Sequence, residues 1–209
     1  MIYKTTHNFF VYHFFQLYSL WRTKWNFSKT FINGTFNDRG LPVLVLSNHF
    51  SWWDGFWVVC LNYRVFGRRF HFMMLEEQLK KHMFFTKTGG FSIKKGSRSV
   101  IETLDYTAEI LSDKRNLVLL FPQGEIRSMH TTDFEFETGI EHIIGRLKSN
   151  IHIIFLANIL DYFSGSKPCL YMYFSEYTGN DFSTGALQAG YNRFYSQCLS
   201  LNLEMKDPE

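Results

Sequence analysis

Pro42-Val43-Leu44-Val45-Leu46-Ser47-Asn48-His49 is the stretch on which the fold turns. A short apolar run rich in Val and Leu, too brief for a helix, reads as a buried strand ending in polar residues. Downstream, residues 54–66 are apolar enough to form the next helix, and 70–75 read as a second strand. A short helix over 76–82 follows, then a break at Gly89-Gly90 before Phe91-Ser92-Ile93. Ser99-x-x-Glu102 has the form of a capping box, with a helix running on to Ser112. Residues 116–121 form a buried strand stopped by Pro122, 139–147 a helix, 151–157 and 169–174 strands, and 183–201 a closing helix. Strands alternating with helices predict an α/β fold with a mostly parallel central sheet flanked by helices.

Upstream, residues 34–40 are a turn-rich link, and 9–25 read as an amphipathic helix. Phe10, Phe14, Leu17 and Trp21 recur at the spacing of one helix face, while His13, Gln16 and Ser19 interrupt the other side. The apolar part is shorter than the roughly 20 residues that span a bilayer, and it ends in Arg22 and Lys24 beside Trp21 and Trp25. That pattern fits a helix lying in a membrane interface, or one packed on the domain's own core. The expected organisation is an N-terminal membrane-association segment, 1–34, followed by one domain, 35–209.

Composition narrows the partners. The 209 residues suffice for one domain with a sizeable core. Charged residues at 20% and hydrophobic ones at 45% mark a folding chain. The aromatic share, 19%, suits a core or a membrane interface, where a ring is apolar at one end and wet at the other. A net charge of +3 with no long basic run argues against a nucleic-acid partner. Cys60, Cys169 and Cys198 are far apart, without metal spacing, and suit a reducing compartment. The first residues lack a signal-peptide pattern.

Three loops carry candidate chemistry. His49 sits at a strand end and Asp54 five residues later, so a tight loop and one helical turn could bring carboxylate to imidazole. In such a pair one ring nitrogen takes a proton from a hydroxyl while the carboxylate fixes the tautomer through the other. Phe121-Pro122-Gln123-Gly124-Glu125-Ile126-Arg127-Ser128 follows another buried strand and could present backbone N–H groups together with Arg127 to a phosphate or an oxyanion. Gly89 to Arg98 holds three cations, Lys94, Lys95 and Arg98, which fit an anion site or a solvated loop.

In this order the motifs resemble those of the glycerolipid acyltransferase superfamily, the 1-acylglycerol-3-phosphate acyltransferases and their relatives. His49 to Asp54 is similar to that family's first motif, Gly90-Phe91-Ser92-Ile93-Lys94-Lys95 to its second, and Phe121 to Ser128 to its third, usually Phe-Pro-Glu-Gly-Thr-Arg-Ser. Phe136-Glu137-Thr138-Gly139 resembles a later segment with Lys in place of Glu137, and 151–157 lies where the family has an apolar fourth motif. The resemblance covers about residues 35–160. It implies His49 as general base on a lipid hydroxyl, Asp54 as its orienter, and acyl-CoA or acyl carrier protein as thioester donor. It implies no metal, no bound cofactor and no covalent acyl-enzyme. Lys95, Phe121, Pro122, Gln123, Gly124, Glu125 and Arg127 become substrate-binding candidates, and the expected place is the cytoplasmic face of a membrane, as a peripheral or monotopic protein. Gln123, Lys95 and Glu137 depart from the family pattern, and an extra residue separates Gly124 from Arg127. Those departures open the acceptor to an aminolipid, a glycolipid or a glycosylated pigment. A catalytically silent membrane-binding homologue is the alternative from another class. A hydrolase is disfavoured because no Gly-x-Ser-x-Gly elbow is present.

Overall fold

The computed structural model describes residues 2–207. Helix α1, Phe9–Asn26, leads into strand β1, Thr30–Asn33, and the central strand β2, Val43–Ser47. Helix α2, Asp54–Leu61, continues through a π turn, Asn62–Phe66, to β3, Arg69–Leu75. Helix α3, Glu76–Lys81, and a 3₁₀ turn, Met83–Thr88, precede β4, Gly90–Ile93. Then come α4, Ser99–Ile110; β5, Asn116–Leu120; α5, Ile140–Arg146; β6, His152–Asp161; β7, Cys169–Glu176; and α6, Thr184–Leu203.

The strands form one sheet in the order β1-β7-β6-β2-β5-β3-β4, parallel except for the β6–β7 pair. The mostly parallel α/β fold expected from the strand–helix alternation is therefore what the chain adopts. β2 lies between β5 and β6, with Leu46 opposite both Leu120 and Phe155. Every residue of β2 is buried, which is why it reads as an unbroken apolar run. Val43 and Val45 join Leu117, Leu119, Ile154 and Leu156 on the face covered by α1 and α2. Leu44 and Leu46 join Val118, Leu120, Ile153 and Phe155 on the other face, under α4, α5 and α6.

Helix α1 packs on α2 through Phe15, Ser19 and Thr23, the three residues it buries. The Phe15 and Phe56 rings sit 5.1 Å apart, Thr23 Oγ1 lies 3.2 Å from Cys60 Sγ, and the Arg22 guanidinium rests over the Trp53 ring at 4.8 Å. The Phe10-Phe14-Leu17-Trp21 stripe faces away, each side chain more than half exposed. Ahead of α1 the chain runs along the outer edge of β4. Ser92 N–H donates to Tyr3 O at 2.9 Å, and Thr6 and Asn8 N–H donate to Thr86 and Lys87 carbonyls. An otherwise open sheet edge is thereby covered.

Two local expectations are corrected. Ser99 is the first residue of α4 rather than its cap, because Arg98 already has right-handed helical dihedrals and Ser97 Oγ accepts the Ser99 N–H at 3.1 Å. The break at Gly89-Gly90 is confined to Gly89, whose φ of +111° turns the chain, while Gly90 opens a strand. A Cβ on Gly89 would meet Phe70 O at 2.1 Å, so the turn requires glycine.

Candidate active site

Parallel strands deliver their C-terminal ends to one edge of a sheet, where α/β proteins place their ligands. β2 ends into Asn48 and His49, and its neighbour β5 ends into Phe121, Pro122 and Gln123. The two loops are fastened to each other. His49 N–H donates to Gln123 Oε1 at 2.8 Å, Arg127 N–H donates to His49 O at 3.0 Å, and the His49 ring stacks on Phe121 with centroids 3.9 Å apart. A third strand reaches the same edge from behind: Asn48 Nδ2 donates to Asn158 O, and Asn158 N–H donates to Asn48 Oδ1, each at 2.9 Å.

Asp54 opens α2, and its side chain turns back into the loop before it. Its Oδ2 accepts from Phe50 N–H at 2.8 Å and Ser51 N–H at 3.0 Å, and lies 2.9 Å from His49 Nδ1. The carboxyl is fully buried and its Oδ1 has no hydrogen-bond partner. Burial pushes the Asp54 carboxyl above the usual carboxylate range, against the opposing pull of the His49 ring and the two backbone donors. An oxygen made more basic and already committed to N–H donors holds Nδ1 of His49 in its protonated form. The lone pair is then left on Nε2, which has no partner among the described residues. The His49 side chain is 18% exposed, opening on a narrow cleft walled by Ser128, Thr131, Phe134 and Tyr195.

The other candidates divide. Gly124, with a φ of +68°, closes a turn in which its N–H donates to Phe121 O at 2.9 Å. Of the loop N–H groups expected to be available to an anion, those of Gly124 and Arg127 are thus engaged within the protein and hold the loop's shape. Gln123 is buried and supplies only an acceptor oxygen, a role that a carbonyl fills as well as a carboxylate. Lys95 Nζ comes within 2.6 Å of where a Gly124 Cβ would stand, so the second and third motifs meet there. The same ammonium bonds Glu137 Oε1 at 2.6 Å, and Arg127 Nε bonds Glu125 Oε1 at 2.9 Å. The three cations read as one cluster do not converge. Lys94 acts on Glu76, Lys95 faces Glu137, and Arg98 lines a separate groove with Asp105 and Glu109.

Asn48, Asn158, Phe134 and Tyr195 were not among the expected site residues. Asn48 adjoins His49 in sequence and could have been included on that ground. The others lie far along the chain, and no local pattern marks them.

Comparison with known proteins identifies the family and the fold. The sequence model of the family described as Acyltransferase matches residues 29–157, a span that contains His49, Asp54, Lys95 and the 121–127 loop. No curated protein matches the sequence. Among solved structures the chain is similar to the crystal structure of the 1-acyl-sn-glycerophosphate (LPA) acyltransferase PlsC from Thermotoga maritima. The TM-score is 0.58 over 88% of this chain and 78% of that one, at 14% identity.

Proposed function

Since the chain belongs to the acyltransferase family, we propose that it moves a fatty acyl group from a thioester, acyl-CoA or acyl carrier protein, to a hydroxyl of a lipid acceptor at a membrane surface. The observation that carries the reading is the His49–Asp54 pair: a buried carboxylate 2.9 Å from Nδ1 of a ring that lines a cleft. Nε2 takes the proton of the acceptor hydroxyl as its oxygen attacks the thioester carbonyl carbon. Asp54 orients the ring and stabilises the imidazolium that forms. The tetrahedral intermediate then collapses, the C–S bond breaks, and the thiolate leaves with the proton that His49 returns. The acyl group passes directly from sulfur to oxygen, with no acyl-enzyme and no metal in the sequence of steps.

The surface of α1 supports the location. Phe10, Phe14, Leu17, Trp21 and Trp25 form an exposed apolar strip, Trp21 stacks on Trp25, and Lys24 stands in the last turn. Such a strip is suited to lie in the headgroup region of a bilayer with its cations toward phosphates. Among the described residues no helix is long and apolar enough to cross a membrane. The lipid acceptor would then be met in the plane of the bilayer, and the thioester donor would arrive from the aqueous side, which we assign to the cytoplasm.

The test is thiol release from an acyl thioester in the presence of acceptor lipid dispersed in vesicles. His49→Ala should abolish acceptor-dependent release while the thermal unfolding curve stays cooperative. A folded His49→Ala protein that keeps its rate would remove His49 from the chemistry.

A further inference from the structure

Between Gln123 and Ser128, which line the cleft, the loop carries Glu125 and Arg127 and has Lys95 and Glu137 against Gly124. Lys95 of the second motif and Arg127 of the third are each engaged by a carboxylate of their own surroundings, while Lys94 acts on Glu76. Lys95 and Arg127 against Glu125 and Glu137 sum to zero formal charge. The Glu137 backbone N–H donates to Pro122 O at 2.8 Å, which ties its segment to the 121–124 turn and keeps the side chain within reach of it. Asp133 and Glu135 flank Phe134, a wall of the cleft, and add carboxylates without adding a cation.

From this pairing we propose that the acceptor carries an uncharged, hydroxyl-bearing headgroup, and that Glu125 and Glu137 exclude acceptors bearing a phosphomonoester. The proposal rests on the acyl-transfer reading above and deepens it. Exposed ion pairs open readily, so a phosphate could displace either carboxylate from its cation. The displaced carboxylate stays within a few ångströms, however, and a dianion there meets a like charge at each cation it could use. A neutral polyol meets no such repulsion. Its O–H groups donate to the carboxylate oxygens, which have lone pairs to spare beyond their single bonds to Lys95 and Arg127.

The matched probes are 1-acylglycerol and 1-acylglycerol-3-phosphate, which differ only in the phosphomonoester. Each is presented in nonionic detergent micelles, and kcat/KM with an acyl thioester is compared. Binding of the same two lipids to the His49→Ala protein is measured alongside. Selectivity is then read even if neither lipid turns over, an outcome that would sink the acyl-transfer reading alone. The wild-type preference for the neutral lipid should be about tenfold or more, as expected for like charges at these separations. Glu125→Gln with Glu137→Gln should abolish or reverse it, since the cations remain and the repelling charges are gone. Equal handling of the two lipids by the wild-type protein, a wild-type preference for the phosphate, or a ratio unmoved in the double variant would overturn the proposal.

Discussion

Asp54→Asn separates geometry from charge at the site. The asparagine oxygen can occupy the Oδ2 position and keep the N–H donors of Phe50, Ser51 and the His49 ring. Its NH₂ then falls where Oδ1 now sits, a place already without a partner. One unsatisfied buried atom replaces another, and a desolvated charge is removed. Stability should therefore change by about 1 kcal/mol or less. What is lost is the attraction between carboxylate and imidazolium as the proton reaches Nε2. For unit charges about 4 Å apart at an effective dielectric of about 20, that attraction is about 4 kcal/mol. With about 1.4 kcal/mol per factor of ten, kcat/KM should fall about a thousandfold. The assay is thiol release at saturating acceptor, with thermal unfolding of the same preparation as the control. A folded Asp54→Asn protein within tenfold of the wild-type rate would refute the electrostatic role, and a loss explained by unfolding would refute the stability argument.

Three further outcomes follow from the same contacts. Gln123→Ala leaves the His49 N–H without its acceptor and should cost about 1–3 kcal/mol in urea unfolding. Gln123→Glu, which keeps an oxygen at that place, should retain stability to within about 1 kcal/mol. His71 is buried in β3, its ring 4.6 Å from that of His7, and burial pushes its pKa down to about 3. The unfolded chain, with an ordinary histidine near 6.5, takes up a proton that the native state refuses. Stability complete above about pH 6.5 should thus fall on acidification, by about 2 kcal/mol between pH 6.5 and 5. His71→Gln should remove that share of the slope in urea titrations, and an unchanged slope would show that His71 is not its source. Phe14→Glu with Leu17→Glu should abolish co-sedimentation with anionic vesicles, yet shift stability by less than about 1 kcal/mol because both side chains face away from the domain. Binding that survives the double change would place any membrane contact elsewhere.

How much of this was legible in the sequence depends on the range of each interaction. β2 and β5 stood out because both faces of a central parallel strand are buried and no polar residue interrupts the run. β1 did not, since Thr30-Phe31-Ile32-Asn33 is a four-residue edge strand with no fully buried position. The His49–Asp54 contact was readable because it spans five residues and one turn, so local geometry suffices. The Lys95–Glu137 contact crosses 42 positions and the Asn48–Asn158 contact 110. Nothing near either partner in sequence signals the other. The amphipathic pattern of α1 identified its apolar stripe, yet the stripe is the outward face. The side that packs on α2 is Phe15, Ser19 and Thr23, of which Ser19 and Thr23 are small and polar enough to pass for solvent-facing.

The way α1 is attached has a geometrical consequence. It is gripped at both ends: the preceding strip is hydrogen-bonded to β4 and the 83–88 turn, and its last turn leads within four residues to β1. Between those ends it lies against α2, whose first residue is Asp54. The helix and the histidine are therefore linked through a single packed helix, α2. On the proposed reading, a bilayer that captured the aromatic strip would set the height of Nε2 above it, and that height would act as a ruler. Only a hydroxyl carried at the matching depth would then be within reach, so the altitude of the site would select among lipids before any contact with the headgroup was made.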